Sequence, residues 1–320
     1  QGKIDALKMA EETAEGLDLS VKDVLVASTG VIGVPLPMEK VVGGIQTVVG
    51  SLHPGGGIDA AAAILTTDLT VKETAYSFLI GDKEIKIGAI AKGSGMIHPN
   101  MATMLCFITT DLSIERGALD RALKKAVDGS FNMLTVDGDT STNDLVLVLA
   151  NGAAGNDQLT EDQSEYELFV AVLTQVCVDL ARKIAKDGEG ATKFLEVLVK
   201  GGESVQTARV VAKSVAASSL VKTALFGEDP NWGRILCAAG YSGAQFNPEA
   251  VDIYLKSRAG EVKVAARGSG AVFDEDLAKA ILREAEITIR LDLHQGKEIG
   301  LAFGCDFSYD YVKINAEYRT

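Results

Sequence analysis

The chain has 320 residues, 47% hydrophobic and 23% charged, with a net charge of -13 and a pI near 4.8. That length allows one large domain or two ordinary ones, and the acidic balance without a long Lys/Arg run argues against nucleic acid as a partner. The sequence has neither an apolar stretch long enough to span a bilayer nor a signal peptide at its start, so the reading is a cytoplasmic protein with no membrane partner.

Helical periodicity runs through residues 3–16, 38–48, 58–65, 115–128, 161–186, 205–223 and 274–286. Strand-like runs are "DVLVAST", "ETAYSFLI", "EIKIGAIAKG", "MLCFITTD", "DLVLVLAN", "FLEVLVKG" and "VDIYLKS". From "ITIRLDL" onward the alternation predicts an antiparallel hairpin turning at His294-Gln295-Gly296, then one more strand. The runs at 72–80 and 84–92 follow one another directly, which favours antiparallel pairing over pure βαβ alternation. The expected fold class is therefore mixed α/β (α+β), with layered sheets covered by helices. "KGGESVQTA" at 200–208 is the candidate lobe boundary. Cys106, Cys177, Cys237 and Cys305 lie far apart, mostly in apolar runs, as buried thiols do.

The usual nucleotide and metal signatures are missing. Neither G-x-x-x-x-G-K-[ST] nor a well-placed G-x-G-x-x-G occurs, and His53, His98 and His294 have no ligand spacing. "VDGDTSTND" resembles a calcium loop at Asp137, Asp139 and Ser141, but Val148 stands where the bidentate glutamate belongs. A self-capping turn explains it better, so the expectation is no metal and no cofactor. With three scattered histidines and no G-x-S-x-G, a Ser/His/Asp triad is a poor reading.

A nucleophile that carries its own base remains. An N-terminal threonine has one, because its α-amine, with a pKa near 8, can take the hydroxyl proton. Thr103 lies at the start of an apolar run, preceded by small Ala102, the Pro99-Asn100 turn and the glycines Gly93 and Gly95. Thr29-Gly30, after the run at 23–28, could offer a hydroxyl and an N–H to an oxyanion.

"KGSGMIHPNMATMLCFITTD", with "ASTGVIG", "ILTTD", "VDGDTSTND", "DGEGATK" and "EDPNWGRI", resembles the ornithine acetyltransferase family, the ArgJ-type glutamate N-acetyltransferases of arginine biosynthesis. The motifs follow the family's order over nearly the whole chain. The resemblance implies a self-cleaved, N-terminal-nucleophile-like architecture of the ArgJ/DmpA type. Cleavage would fall between Ala102 and Thr103, giving an α chain of residues 1–102 and a β chain of 103–320. The pieces would stay together as a heterodimer within a higher homo-oligomer. Thr103 would take acetyl from N-acetylornithine and pass it to glutamate by ping-pong kinetics, with acetyl-CoA as a further candidate donor. The resemblance also assigns Thr29 and Gly30 to the oxyanion hole, and Thr66, Lys92, Thr103, Glu189, Asn315 and Thr320 to the substrate. Lys92 suits a carboxylate and Glu189 an ammonium group. Asn315 is expected on the last strand and Thr320 just past it, closing the pocket.

The chain departs from the family pattern in two places. Family chains begin upstream of Gln1, with an N-A-C-T-G-like motif not found here, and Gln1 is no initiator methionine. His98 stands beside the junction where a smaller or apolar residue is expected; it reads as loop variation rather than a general base. Two rival readings stay open. One is a self-processing aminopeptidase with Ser94, after Gly93, as nucleophile. The other is an uncleaved acidic protein that binds a cation or nucleotide through "DGDTSTND" and "DGEG".

Overall fold

The computed structural model describes residues 1–98 and 104–317. The chain divides into two compact units, one built on Gln1–Ile64 and the other on Leu65–Ala316.

The smaller unit is helical. Helix α1 (Gly2–Leu17) ends where Asp18 adopts a left-handed φ of 53° and its N–H returns to Ala14 O. It packs against α2 (Met38–Val49), and a short α3 (Gly57–Ala63) follows. The strand expected at 23–29 does not form. Ser20 caps a 3₁₀ turn at Val21–Asp23, and residues 24–30 have no neighbouring strand among the described residues. A β-run without a ladder partner has nowhere to place its N–H and C=O groups. Thr29 and Gly30 therefore sit on irregular backbone.

The larger unit is mixed α/β, layered as expected. Its first sheet has the order β1-β2-β3-β4, from β1 (Lys72–Ile80), β2 (Lys83–Lys92), β3 (Leu105–Thr110) and β4 (Leu145–Ala150). The first three strands are antiparallel; α4 (Arg116–Asp128) intervenes before β4, which lies parallel to β3. One face carries Ile85, Ile87, Ala89 and Ala91 at alternate positions, and helix α5 (Glu165–Lys186) covers it. Tyr166, Phe169, Val170, Leu173, Val176, Cys177 and Leu180 give α5 its apolar stripe.

The second sheet holds β5 (Phe194–Gly202), β6 (Asp252–Ser257), β7 (Gly260–Ala266), β8 (Ser269–Gly270), β9 (Glu286–Asp292) and β10 (Glu298–Cys305), in the order β10-β5-β9-β6-β7-β8. Helices α6 (Val205–Ala217), α7 (Ser219–Phe226), α8 (Trp232–Gly240) and α9 (Glu275–Leu282) supply the second core with it. Residues 205–223 are thus two helices; Ser218, capping the second through Val221 N, separates them.

The C-terminal expectation is corrected twice. First, β9 and β10 do not form a hairpin, because β5 lies between them, parallel to β9 and antiparallel to β10. The His294-Gln295-Gly296 segment keeps pairing with β5, with Leu293 N on Lys200 O and Gln295 N on Gly201 O, both at 2.9 Å. Second, the last element is a helix, α10 (Tyr309–Glu317), whose first turn donates Asp310 N–H to Ser308 Oγ at 3.1 Å. Asn315 is on this helix, not on a strand. Residues 200–208 are no lobe boundary either; Ser204 accepts Thr207 N–H at 3.0 Å, so β5 turns tightly into α6 inside the larger unit.

Cys106, Cys177 and Cys305 are buried and Cys237 is exposed; burial pushes the Cys177 thiol up to about 12. Among the described residues no helix is long and apolar enough to cross a membrane.

Candidate active site

A buried cation anchors the segment leading into β1. Lys72, 0% exposed, donates to Asp68 Oδ1 at 2.6 Å, Asp187 Oδ2 at 2.5 Å and Thr70 O at 3.2 Å. Asp68 also accepts Gly93 N–H at 2.6 Å and Thr66 N–H at 3.3 Å, and Asp187 accepts Leu69 N–H at 2.9 Å. Burial pushes the Asp68 carboxyl up, but Gly93 N–H and Lys72 outweigh it and hold it below the usual range. The network ties exposed Thr66 to the end of β2 and to the "DGEG" loop.

Lys92, the last residue of β2, is 4% exposed. Burial lowers its pKa and nearby Lys72 adds to this, while the charges of Asp68, Asp144 and Glu189 oppose. Glu189 is buried; its N–H donates to Ser94 O at 2.9 Å, and its Oε2 accepts Asn315 Nδ2–H at 3.0 Å. Gly190 makes room for α10, because a β-carbon there would overlap the Tyr311 N–H. Ser308 Oγ donates to Gly190 O at 2.5 Å and fixes the start of that helix over the loop.

The "VDGDTSTND" loop holds the chain on both sides of residues 99–103. Asp137 accepts Met96 N–H at 2.6 Å, Ile97 N–H at 2.9 Å and its own loop's Asp139 N–H at 3.2 Å. Met96 has a left-handed φ of 55°, a conformation that costs a non-glycine residue about 1 kcal/mol or more and is held here by Asp137. Seven residues on, Asp144 Oδ1 accepts Met104 N–H at 2.7 Å. Burial pushes the Asp144 carboxyl up to about 6, against the pull of that N–H and of Lys92. Burial and the charges of Asp137, Asp139 and Glu189 raise the pKa of Tyr311, which stacks on Phe307 at 4.8 Å. His98 Nδ1 lies 3.0 Å from Thr135 Oγ1, and burial, reinforced by Lys213, lowers its pKa to about 4. Among the described residues no three His, Cys, Asp or Glu side chains are grouped to hold a metal ion.

The structure thus brings Glu189 and Asn315 into contact, sets Lys92 in the field of Glu189, and links Thr66 to them through Asp68. Ala102, Thr103 and Thr320 lie outside the described residues, and Thr29 and Gly30 belong to the smaller unit. Comparison with known proteins adds the decisive observation: the ArgJ family matches residues 1–320. The chain belongs to the ArgJ family.

Its relatives include the "Arginine biosynthesis bifunctional protein ArgJ" of Caldanaerobacter subterraneus subsp. tengcongensis, 55% identical over all of this chain and 79% of that one. The protein of the same name from Symbiobacterium thermophilum is 53% identical over the same shares. Among solved structures, the bifunctional ArgJ of Bacillus halodurans is similar with a TM-score of 0.62 and 46% identity, over 66% of this chain and 98% of that one.

Reading the sequence for site residues does not reveal the role of the groups that hold the ArgJ-type motifs in place: Asp68, Lys72, Asp187, Asp137 (weighed there only as a calcium ligand or a self-capping turn), Asp144 and Tyr311. Four of these are motif residues, in "ILTTD", "DGEG" and "VDGDTSTND". Their carboxylates reach backbone N–H groups far along the chain, so spacing alone carries no sign of the pairing.

Proposed function

We propose that this chain is a self-processing acetyltransferase of arginine biosynthesis that moves acetyl from N2-acetylornithine to glutamate through an acetyl-Thr103 ester. One observation carries this reading: Lys92 and Leu105, at the two ends of the segment containing Ala102-Thr103, are register partners in the β2–β3 ladder. Around that point lie a buried cation, Lys92, and two carboxylates, Glu189 and Asp144, whose charges act on it. The six residue pairs of the ladder supply the cohesion that keeps the pieces together after a cut.

In processing, Thr103 Oγ attacks the Ala102 carbonyl carbon; the C–O bond forms, the C–N bond breaks, and the freed amine takes the hydroxyl proton. Water then hydrolyses the ester to leave the Ala102 carboxylate. In transfer the same oxygen attacks the acetyl carbon of acetylornithine, its proton passes through the α-amine to the leaving ornithine nitrogen, and glutamate reverses the step. On the family resemblance, Thr29 Oγ and Gly30 N–H are assigned to the oxyanion. Lys92 takes a substrate carboxylate and Glu189 a substrate ammonium, with Thr66, Asn315 and Thr320 completing recognition. Acetyl-CoA as a second donor is proposed on the family resemblance alone. Assembly into a higher homo-oligomer and a cytoplasmic setting rest on the family resemblance.

The rival nucleophile Ser94 is 2% exposed and donates its hydroxyl to Asp187 O at 2.6 Å, so that hydroxyl is buried and engaged with the backbone. The test is the denatured mass and N-terminal sequence of the purified protein, with an assay of acetylornithine and glutamate. Two pieces, one beginning Thr-Met-Leu-Cys, together with acetyl transfer are expected; a single uncleaved species without transfer overturns the reading.

A further inference from the structure

Asp68 joins the two segments that carry Thr66 and Lys92. Its Oδ2 accepts Thr66 N–H at 3.3 Å, and its Oδ1 accepts Gly93 N–H, the peptide N–H just after Lys92, at 2.6 Å. Lys72 Nζ donates to the same Oδ1 at 2.6 Å and to Asp187 Oδ2 at 2.5 Å, so two carboxylates share one ammonium. The side chains of Asp68 and Lys72 are both 0% exposed. Lys92 is buried too, yet among the described residues no carboxylate lies within ion-pair distance of its ammonium. Burial works against the Lys92 charge. Asp68 opposes burial most strongly, ahead of Asp144 and Glu189, while Lys72 sides with burial. A buried ammonium kept charged from a distance, with no carboxylate of its own, suits a carboxylate brought by a ligand.

We propose that Asp68 is a positioning residue for the substrate carboxylate: its two oxygens set the Thr66 and Lys92 segments against each other, and its charge acts on Lys92 without occupying the ammonium. This rests on the reading of Lys92 as the group that takes a substrate carboxylate. The contacts divide the work between the two lysines. Lys72 meets Asp68 and Asp187 in direct hydrogen bonds, and Lys92 stays available to the ligand. A carboxylate seated directly on Lys92 would compete with the substrate; one held through the neighbouring Gly93 N–H does not.

The test uses the full chain carrying Asp68→Asn or Asp68→Glu, with Lys92→Ala and the wild type beside them. Kinetics are run on N2-acetylornithine and on its neutral carboxamide, with glutamate as acceptor, from about pH 7 to 9.5. The Asn side chain still offers an oxygen to Gly93 N–H and Lys72, so folding is expected to hold. KM for acetylornithine is expected to rise about tenfold, with kcat and the carboxamide KM nearly unchanged. Without the Asp68 charge Lys92 loses its proton more easily, so the alkaline rise in KM is expected to begin about one pH unit lower. Asp68→Glu keeps the charge but misplaces it; its KM should rise while the alkaline profile stays that of the wild type. An Asp68→Asn enzyme with wild-type KM and pH profile overturns the proposal. So does an equal loss on both substrates, which marks structural damage alone. Should that variant not fold, Asp68→Glu decides: a KM raised on acetylornithine alone supports the role, and wild-type kinetics overturn it. Lys92→Ala separates the two readings. If it discriminates acid from carboxamide as the wild type does, the Lys92 reading has failed; if it loses that discrimination and Asp68→Asn keeps it, only the Asp68 proposal has.

Discussion

A β-carbon on Gly95 would fall inside the carboxylate of Glu189. The glycine of "KGSG" and the glutamate of "DGEG" thus fit together, although 94 positions separate them in sequence. The clash is with the end of a flexible side chain, so a methyl group there moves Glu189 more than it strains the fold. Gly95→Ala is expected to lower stability by only about 1 kcal/mol. It should pull Glu189 from Asn315 and raise KM for acetylornithine about tenfold, with processing little changed. Thermal melting and steady-state kinetics on one preparation separate the two effects.

Lys72 is the only cation that hydrogen-bonds Asp68 and Asp187 among the described residues. Removing it leaves two buried carboxylates without their partner, so Lys72→Met is expected to cost about 3–5 kcal/mol in urea unfolding. Replacing an exposed lysine such as Lys124, paired only with Asp120 one turn away, should cost under about 1 kcal/mol.

The three N–H groups on Asp137 make it the stronger of the loop's two clamps. Asp137→Ala leaves Met96 N–H and Ile97 N–H unsatisfied and removes what holds Met96 left-handed. A loss of about 1.5–3 kcal/mol is expected, with slower processing. Normal cleavage at normal stability would show that the clamp has no part in placing the junction.

His98 has a definite acid signature. Its pKa is about 4 in the folded chain against an ordinary 6.5, so between these values the unfolded chain binds a proton that the folded chain does not. The contribution of His98 is present above pH 6.5 and lost as pH falls toward 4. His98→Gln is expected to flatten the fall in melting temperature over that window and to change little at pH 8. An unaltered acid slope in the variant would refute the burial argument.

Thr103→Ala is expected to abolish both cleavage and transfer, and Thr103→Ser to keep some of each. Lys92→Ala and Glu189→Ala should cleave nearly normally while substrate use falls about 10²-fold, since in the proposed mechanism each removes a charged partner from the substrate rather than from the scissile bond. Mass spectrometry for cleavage and acetyl-transfer rates on the same samples give both readouts.

By itself the sequence determined the α/β class, the hydrophobic stripe of α5, the β1–β2 neighbours and the motifs that mark the family, because those signals are local periodicities and short residue strings. It also marked Lys92, Glu189 and Asn315. Only the tertiary structure decided that β5 separates β9 from β10, since a turn signal at His294-Gln295-Gly296 says nothing about a strand about a hundred residues earlier entering between its arms. The last segment became a helix because Ser308 caps it and Gly190 admits it, neither of which periodicity reports. The carboxylates of Asp68, Asp137, Asp144 and Asp187 acquired their roles the same way. An acidic side chain in a loop looks like a solvated charge until folding brings a distant backbone N–H or a buried lysine within hydrogen-bond reach, and burial then decides what its charge can do.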